Sequence, residues 1–187
     1  IDHYPIDSPI EVNGFFTDEK FKIGGKNVSL NQLEKDIILT KYPDARLHFA
    51  LVCAAKGCPK LRPEAYRSSS LDMQLEEQTL KTLQDNYFVS YDEQANTLSI
   101  SKIFEWYARE FGNNNKDVIQ FVNSYSHLMV PEDARISYME YDWTLNEKGG
   151  SRKDQEEKSN LELFTSSALF NKGEFEINAF NSIYSQQ

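Results

Sequence analysis

Residues 46–53, RLHFALVC, constrain the fold more than any other stretch of the chain. Their apolar content is continuous rather than alternating, which argues for a strand covered on both faces. Pro43 stands before the run, and Gly57, Pro59 and Pro63 follow it. The pattern predicts a buried strand giving way to an irregular loop. Cys53 and Cys58, the chain's 2 cysteines, fall at or just past its end.

The surrounding sequence supplies partners for such a strand. FKIGGKNVSL reads as a hairpin around Gly24 and Gly25. Ser29 can cap a helix whose Leu30, Leu33, Ile37 and Ile38 follow helical spacing to about Tyr42, where Pro43 stops it. Ser70 can cap a second helix, Leu71 to about Gln84, and NYFVSY with NTLSIS forms a second hairpin. Ser101 opens a helix striped by Ile103, Tyr107 and Phe111. Gly112 and the asparagines after it end that helix and cap the next, which turns Val118, Phe121, Val122 and Tyr125 to one side. ARISYMEYDWTL reads as a last strand. The class is α+β: a small, mainly antiparallel sheet flanked by helices.

Composition changes after Trp143. No apolar residue occurs from Asn146 to Asn160, so residues 147–160 read as a polar linker. Residues 161–187 are apolar again but too short for a core of their own. They read as a tail docking on the main body, through which a protein partner can be recruited, or as a segment of another element. Residues 1–146 are then the folded domain.

Charge and length exclude several classes. Net charge is −9, and an acidic surface without a basic patch is a poor match for a phosphate backbone, so nucleic acid is not an expected partner. No apolar run approaches the roughly 18 residues of a membrane span. The C-x4-C spacing lacks the second pair or the histidines of a zinc site. No Gly-rich phosphate loop, H-E-x-x-H or G-x-S-x-G occurs. No metal or cofactor is expected.

Candidate chemistry concentrates around the cysteines. Cationic neighbours, here Lys56 and Lys60, together with a histidine favour a thiolate. Cys53 is therefore a candidate nucleophile, and a disulfide partner or a small buried side chain otherwise. His48 is the first candidate for its general base. On a straight strand, however, the two side chains would face opposite sides, about 16 Å apart along it. His127 or His3 could act instead. Cys58 is a loop thiol or the other half of a disulfide. Glu34 shares an i, i+4 line with Leu30 and Ile38, which places a carboxylate beside an apolar stripe. It then anchors Arg46 or a loop, or orients a histidine. Asp142 and Trp143 end the last strand, where a carboxylate beside aromatic walls suits a small-ligand site.

The segments VSLNQLEKDIIL, DARLHFALVCAAKGCPKLRPEAY, LDMQLEEQTLKTL, LSISKIFEWY and YMEYDWTLN resemble the DUF547 family in order and spacing over about residues 20–146. That family looks like a distant branch of the papain-like cysteine hydrolases and transferases. Its bacterial members often look exported, with a signal or lipoprotein leader, so the resemblance implies the periplasm or the cell surface. Members usually carry a further helix ahead of the stretch matching DHYP, where this chain begins. The expectation is a cysteine-dependent hydrolase or acyl transferase acting on a small-molecule or peptide substrate. Cys53 would attack a carbonyl, and His48 would serve as base, oriented by Glu34. The alternative is a non-catalytic extracytoplasmic binding or scaffold module stiffened by a Cys53–Cys58 disulfide.

Overall fold

The computed structural model describes His3 and residues 5–147. The tail expected at residues 161–187, and the linker beyond residue 147, lie outside the described residues. A 3-10 turn at Pro9–Glu11 opens the domain, capped by Ser8. Strands β1 (Phe21–Ile23) and β2 (Lys26–Val28) pair antiparallel. Gly24 and Gly25 make the turn between them at φ of 56° and 78°, the left-handed pair that a tight hairpin requires. Ser29 caps the next helix reciprocally. Gln32 N–H donates to Ser29 Oγ at 3.2 Å, and Ser29 N–H donates to Gln32 Oε1 at 3.1 Å. The helix that follows, Gln32–Leu39, is wound more widely than an α-helix and buries Leu33 and Ile38.

The strand expected at residues 46–53 is a 3-10 helix, Ala45–Phe49, followed by irregular chain. Asp44 caps it by accepting Arg46 N–H at 2.9 Å. The Arg46 guanidinium then holds Asp44 and Asp72, both at 2.7 Å, and Glu76 at 3.1 Å. With three residues per turn, successive side chains point about 120° apart. Leu47 enters one apolar cluster with Leu33, Ile38, Tyr66 and Leu75. Phe49 enters the larger one, with Leu83, Leu98, Ile100, Phe104, Phe111 and Ile119. The continuous apolar run thus reports burial between two clusters, not between two faces of a sheet.

Helix α1 (Leu71–Leu83) packs on this turn. Ser70 occupies its cap position, but its hydroxyl donates to Gln74 Oε1 instead of accepting an amide. Buried Gln78 on α1 donates to the Phe49 carbonyl at 3.0 Å and to that of Lys60 at 2.8 Å, fixing the chain on both sides of the cysteines. Strands β3 (Val89–Asp92) and β4 (Thr97–Ile100) form the expected antiparallel hairpin. Strand β5 (Arg135–Tyr138) joins β4 in parallel, so the three-stranded sheet is mixed with β4 at its centre. The helix expected after Ser101 is broken into α2 (Ile103–Trp106) and α3 (Ala108–Phe111), with Tyr107 between them at φ −116°, ψ 31°. Asn114 caps α4 (Asn115–Tyr125), accepting from Lys116 and Asp117 N–H. The fold is α+β, with helices around an antiparallel hairpin and a small mixed sheet.

Phe49 is fully buried, and its ring lies 5.9 Å from that of Phe104 and 5.8 Å from that of Phe111. Phe49→Ala removes the anchor of the turn as well as core volume. It should lower unfolding free energy by about 3–5 kcal/mol in urea titrations. A loss below about 1 kcal/mol would show that the turn is not anchored through this ring.

Candidate functional site: a bridged sulfur pair beside a buried histidine

The loop after the turn is laid along residues 142–146. Lys56 N–H donates to the Thr144 carbonyl and Gly57 N–H to that of Asp142, both at 2.8 Å. Asn146 N–H donates to the Ala54 carbonyl at 2.7 Å, and Ala55 bridges Leu145. Gly57 is required by proximity. A Cβ there would sit 2.9 Å from three atoms of the Tyr141 ring. That ring therefore lies on the loop backbone and brings its hydroxyl to the cysteines.

Cys53 and Cys58 form a disulfide with Cα atoms 6.3 Å apart, and neither thiol is free. The Tyr141 hydroxyl lies 3.1 Å from Cys58 Sγ and 3.4 Å from Cys53 Sγ. Bridged sulfurs carry no proton, so the hydroxyl is the donor. Cys53 N–H also donates to Cys58 Sγ, at 2.9 Å. Burial, with Tyr87 and Glu34 adding to it, pushes the Tyr141 phenol well above its ordinary range. It stays a neutral donor.

His48 belongs to a second polar group. Its side chain is almost wholly buried, and Nε2 meets Glu110 Oε2 at 2.5 Å. The Tyr107 ring stacks on the imidazole with centroids 3.8 Å apart. The Tyr107 hydroxyl donates to Glu34 Oε1. Burial foremost, then the bond to Glu34, pushes the Tyr107 phenol up. The carboxylate on His48 is thus Glu110, while Glu34 approaches it across the Tyr107 ring. Neither reading of Glu34 anticipated this, and Arg46 is satisfied by other acids. Of the other histidines, His3 pairs with Glu19 and His127 is exposed.

An aromatic face adjoins the sulfurs. Trp106 and Trp143 each lie 4.7 Å from Tyr141, centroid to centroid, and 5.7 Å from each other. Trp106 is 45% exposed and Tyr87 50%. Trp143 is therefore part of an aromatic face with Trp106 and Tyr141. Asp142 accepts from Thr144 N–H at 2.9 Å and from its hydroxyl at 2.6 Å, which holds its carboxyl below the usual range.

Sequence reasoning missed Glu110, Tyr141 and Trp106 as site residues; Tyr107, placed in the core, packs against it and also stacks on His48. Their partners are too distant in the chain for spacing to reveal them: Glu110 lies 62 positions from His48, and Tyr141 lies 83 from Cys58. Gly57 was the available signal, because a glycine between two cysteines marks a place where something approaches the backbone closely. Among the described residues, no group of three or more His, Cys, Asp or Glu converges as a metal site would need.

Fold and site together define a small α+β protein with a disulfide-closed loop, a buried histidine–carboxylate pair and an aromatic face. Residues 2–81 match the family described as "Protein of unknown function, DUF547". The match includes Glu34, His48, Cys53 and Cys58 and ends before Trp106, Tyr107, Glu110 and Tyr141. The match carries no papain-like relationship. No curated protein and no solved structure matches the chain.

Burial pushes the His48 imidazole below its ordinary value of 6.5, against the opposing pull of Glu110, Glu34 and Asp44. The unfolded chain therefore binds the proton more readily. The stability His48 contributes is complete above 6.5 and is lost as pH falls through the lower folded value. Urea midpoints should drop as the pH is lowered below 6.5, and His48→Gln should flatten that slope. Parallel slopes for the two proteins would refute the assignment.

Proposed function

We propose that this domain is an extracytoplasmic binding module for a small molecule or peptide, stiffened by its disulfide. The carrying observation is that the sulfur a cysteine hydrolase needs as its nucleophile is not free. Cys53 is bridged to Cys58, and His48 Nε2 is on Glu110. An attacking thiolate needs a free sulfur and a base within hydrogen-bond reach.

Trp106, Tyr141 and Trp143 support the binding reading. Large rings offer contact area at low entropic cost, and here they are partly open to solvent. A disulfide persists in oxidising compartments, which supports export to the periplasm or cell surface. Among the described residues no helix is long and apolar enough to cross a membrane. The hydrolase or acyl transferase applies to reduced protein. There Cys53 would attack a carbonyl, with a histidine as its base.

Thiol titration separates the two readings. Protein purified without reductant should show no reactive thiol, native or in denaturant, and Trp106→Ala should reduce the tryptophan fluorescence response to a bound ligand from a panel of saccharides and short peptides. One fast-alkylating cysteine in the native protein would overturn the binding reading in favour of the hydrolase.

A further inference from the structure

We infer that the Cys53–Cys58 bridge is an exchangeable disulfide that oxidises an external dithiol, with Cys53 as the sulfur attacked and Cys58 as the leaving group. The inference uses the same bridge as the binding reading but goes beyond it, because it assigns the bridge a reaction.

The geometry is asymmetric in the way such a reaction needs. Cys53 is partly exposed, whereas Cys58 is 5% exposed. An incoming sulfur therefore reaches Cys53 first. Cys58 Sγ already accepts Cys53 N–H at 2.9 Å and lies nearer than Cys53 Sγ to the Tyr141 hydroxyl, 3.1 against 3.4 Å. Hydrogen bonds to a thiolate favour the charged form and lower the pKa of the corresponding thiol. A leaving thiol of lower pKa departs faster. Tyr141, held neutral by burial, does not oppose the developing charge.

The bonds balance. A substrate thiolate attacks Cys53 Sγ, forming a mixed disulfide and breaking the Cys53–Cys58 bond, whose electron pair stays on Cys58. The substrate's second thiolate then attacks its own bridged sulfur and expels Cys53. Two electrons pass to the protein. The two protons lost by the dithiol are taken up, directly or through solvent, by the two cysteines. Return to the starting state takes an external disulfide and the same steps in reverse. Backbone hydrogen bonds of Lys56, Gly57 and Asn146 hold the loop besides the bridge.

The test treats native protein briefly with reduced glutathione, which has no second thiol to complete the exchange within the mixed disulfide, and is stopped before a second glutathione displaces it. The reaction is acid-quenched, free thiols are alkylated, and both cysteines are mapped by mass spectrometry. Glutathione should be found on Cys53 and the alkyl group on Cys58. Tyr141→Phe, which keeps the ring over Gly57, should slow adduct formation about tenfold, as expected for one hydrogen bond to a charged leaving group. An adduct on Cys58, a bridge reducible only in denaturant, or a Tyr141→Phe rate equal to that of the parent would each overturn the inference. If the variant fails to fold, the adduct position in the parent decides. A bridge that resists reduction leaves the binding reading standing, whereas a free thiol in the untreated protein removes both.

Discussion

Three consecutive side chains, Leu47, His48 and Phe49, are buried in three different environments, and the rest of the domain is arranged around that constraint. A strand would send Leu47 and Phe49 to one face and His48 to the other. The 3-10 turn instead divides them between two apolar clusters and a polar group. Such short turns have poor intrinsic hydrogen-bond geometry, so this one is held from outside. Arg46 binds three acids at its start, and Gln78 takes the Phe49 carbonyl at its end. Because that arginine and that amide act through α1, the turn and the helix are fixed together.

A second interruption serves the same purpose on the facing element. Tyr107 leaves helical geometry between α2 and α3, which lets adjacent residues serve different groups. Trp106 joins Tyr141 and Trp143 in the aromatic face, while Tyr107 lies flat on His48. One turn later, Glu110 meets the imidazole. An unbroken helix would carry Tyr107 and Phe111 along one stripe, as their spacing predicts. The break keeps Phe111 in the core while turning the Tyr107 hydroxyl to Glu34.

What was legible in the sequence was local. Gly24–Gly25, Ser29, the β3–β4 turn and Asn114 each announce an element through chemistry that acts over a few residues, and each element is where it was expected. The run HFALV was misread because burial on two sides looks the same in a sequence whether the covers are the faces of a sheet or two separate clusters. Cys53, His48, Glu34 and Trp143 were singled out, but their partners were not. Glu110 and Tyr141 arrive from remote positions, and a carboxylate on a short helix or a tyrosine after a strand carries no mark of the group it will meet.

Glu34 shows how the two polar groups are joined. It accepts from Tyr107 and also acts through space on Tyr141, and in both cases the effect of its negative charge is to disfavour a phenolate. The same charge favours protonated His48, but burial outweighs it. Burial, reinforced by this carboxylate, keeps two tyrosine hydroxyls as donors, one bonded to Glu34 and one directed at the sulfurs. A neutral side chain in its place would keep the shape of the helix while relaxing that bias. The resulting arrangement is suited to stabilising negative charge on Cys58 from a donor that keeps its proton.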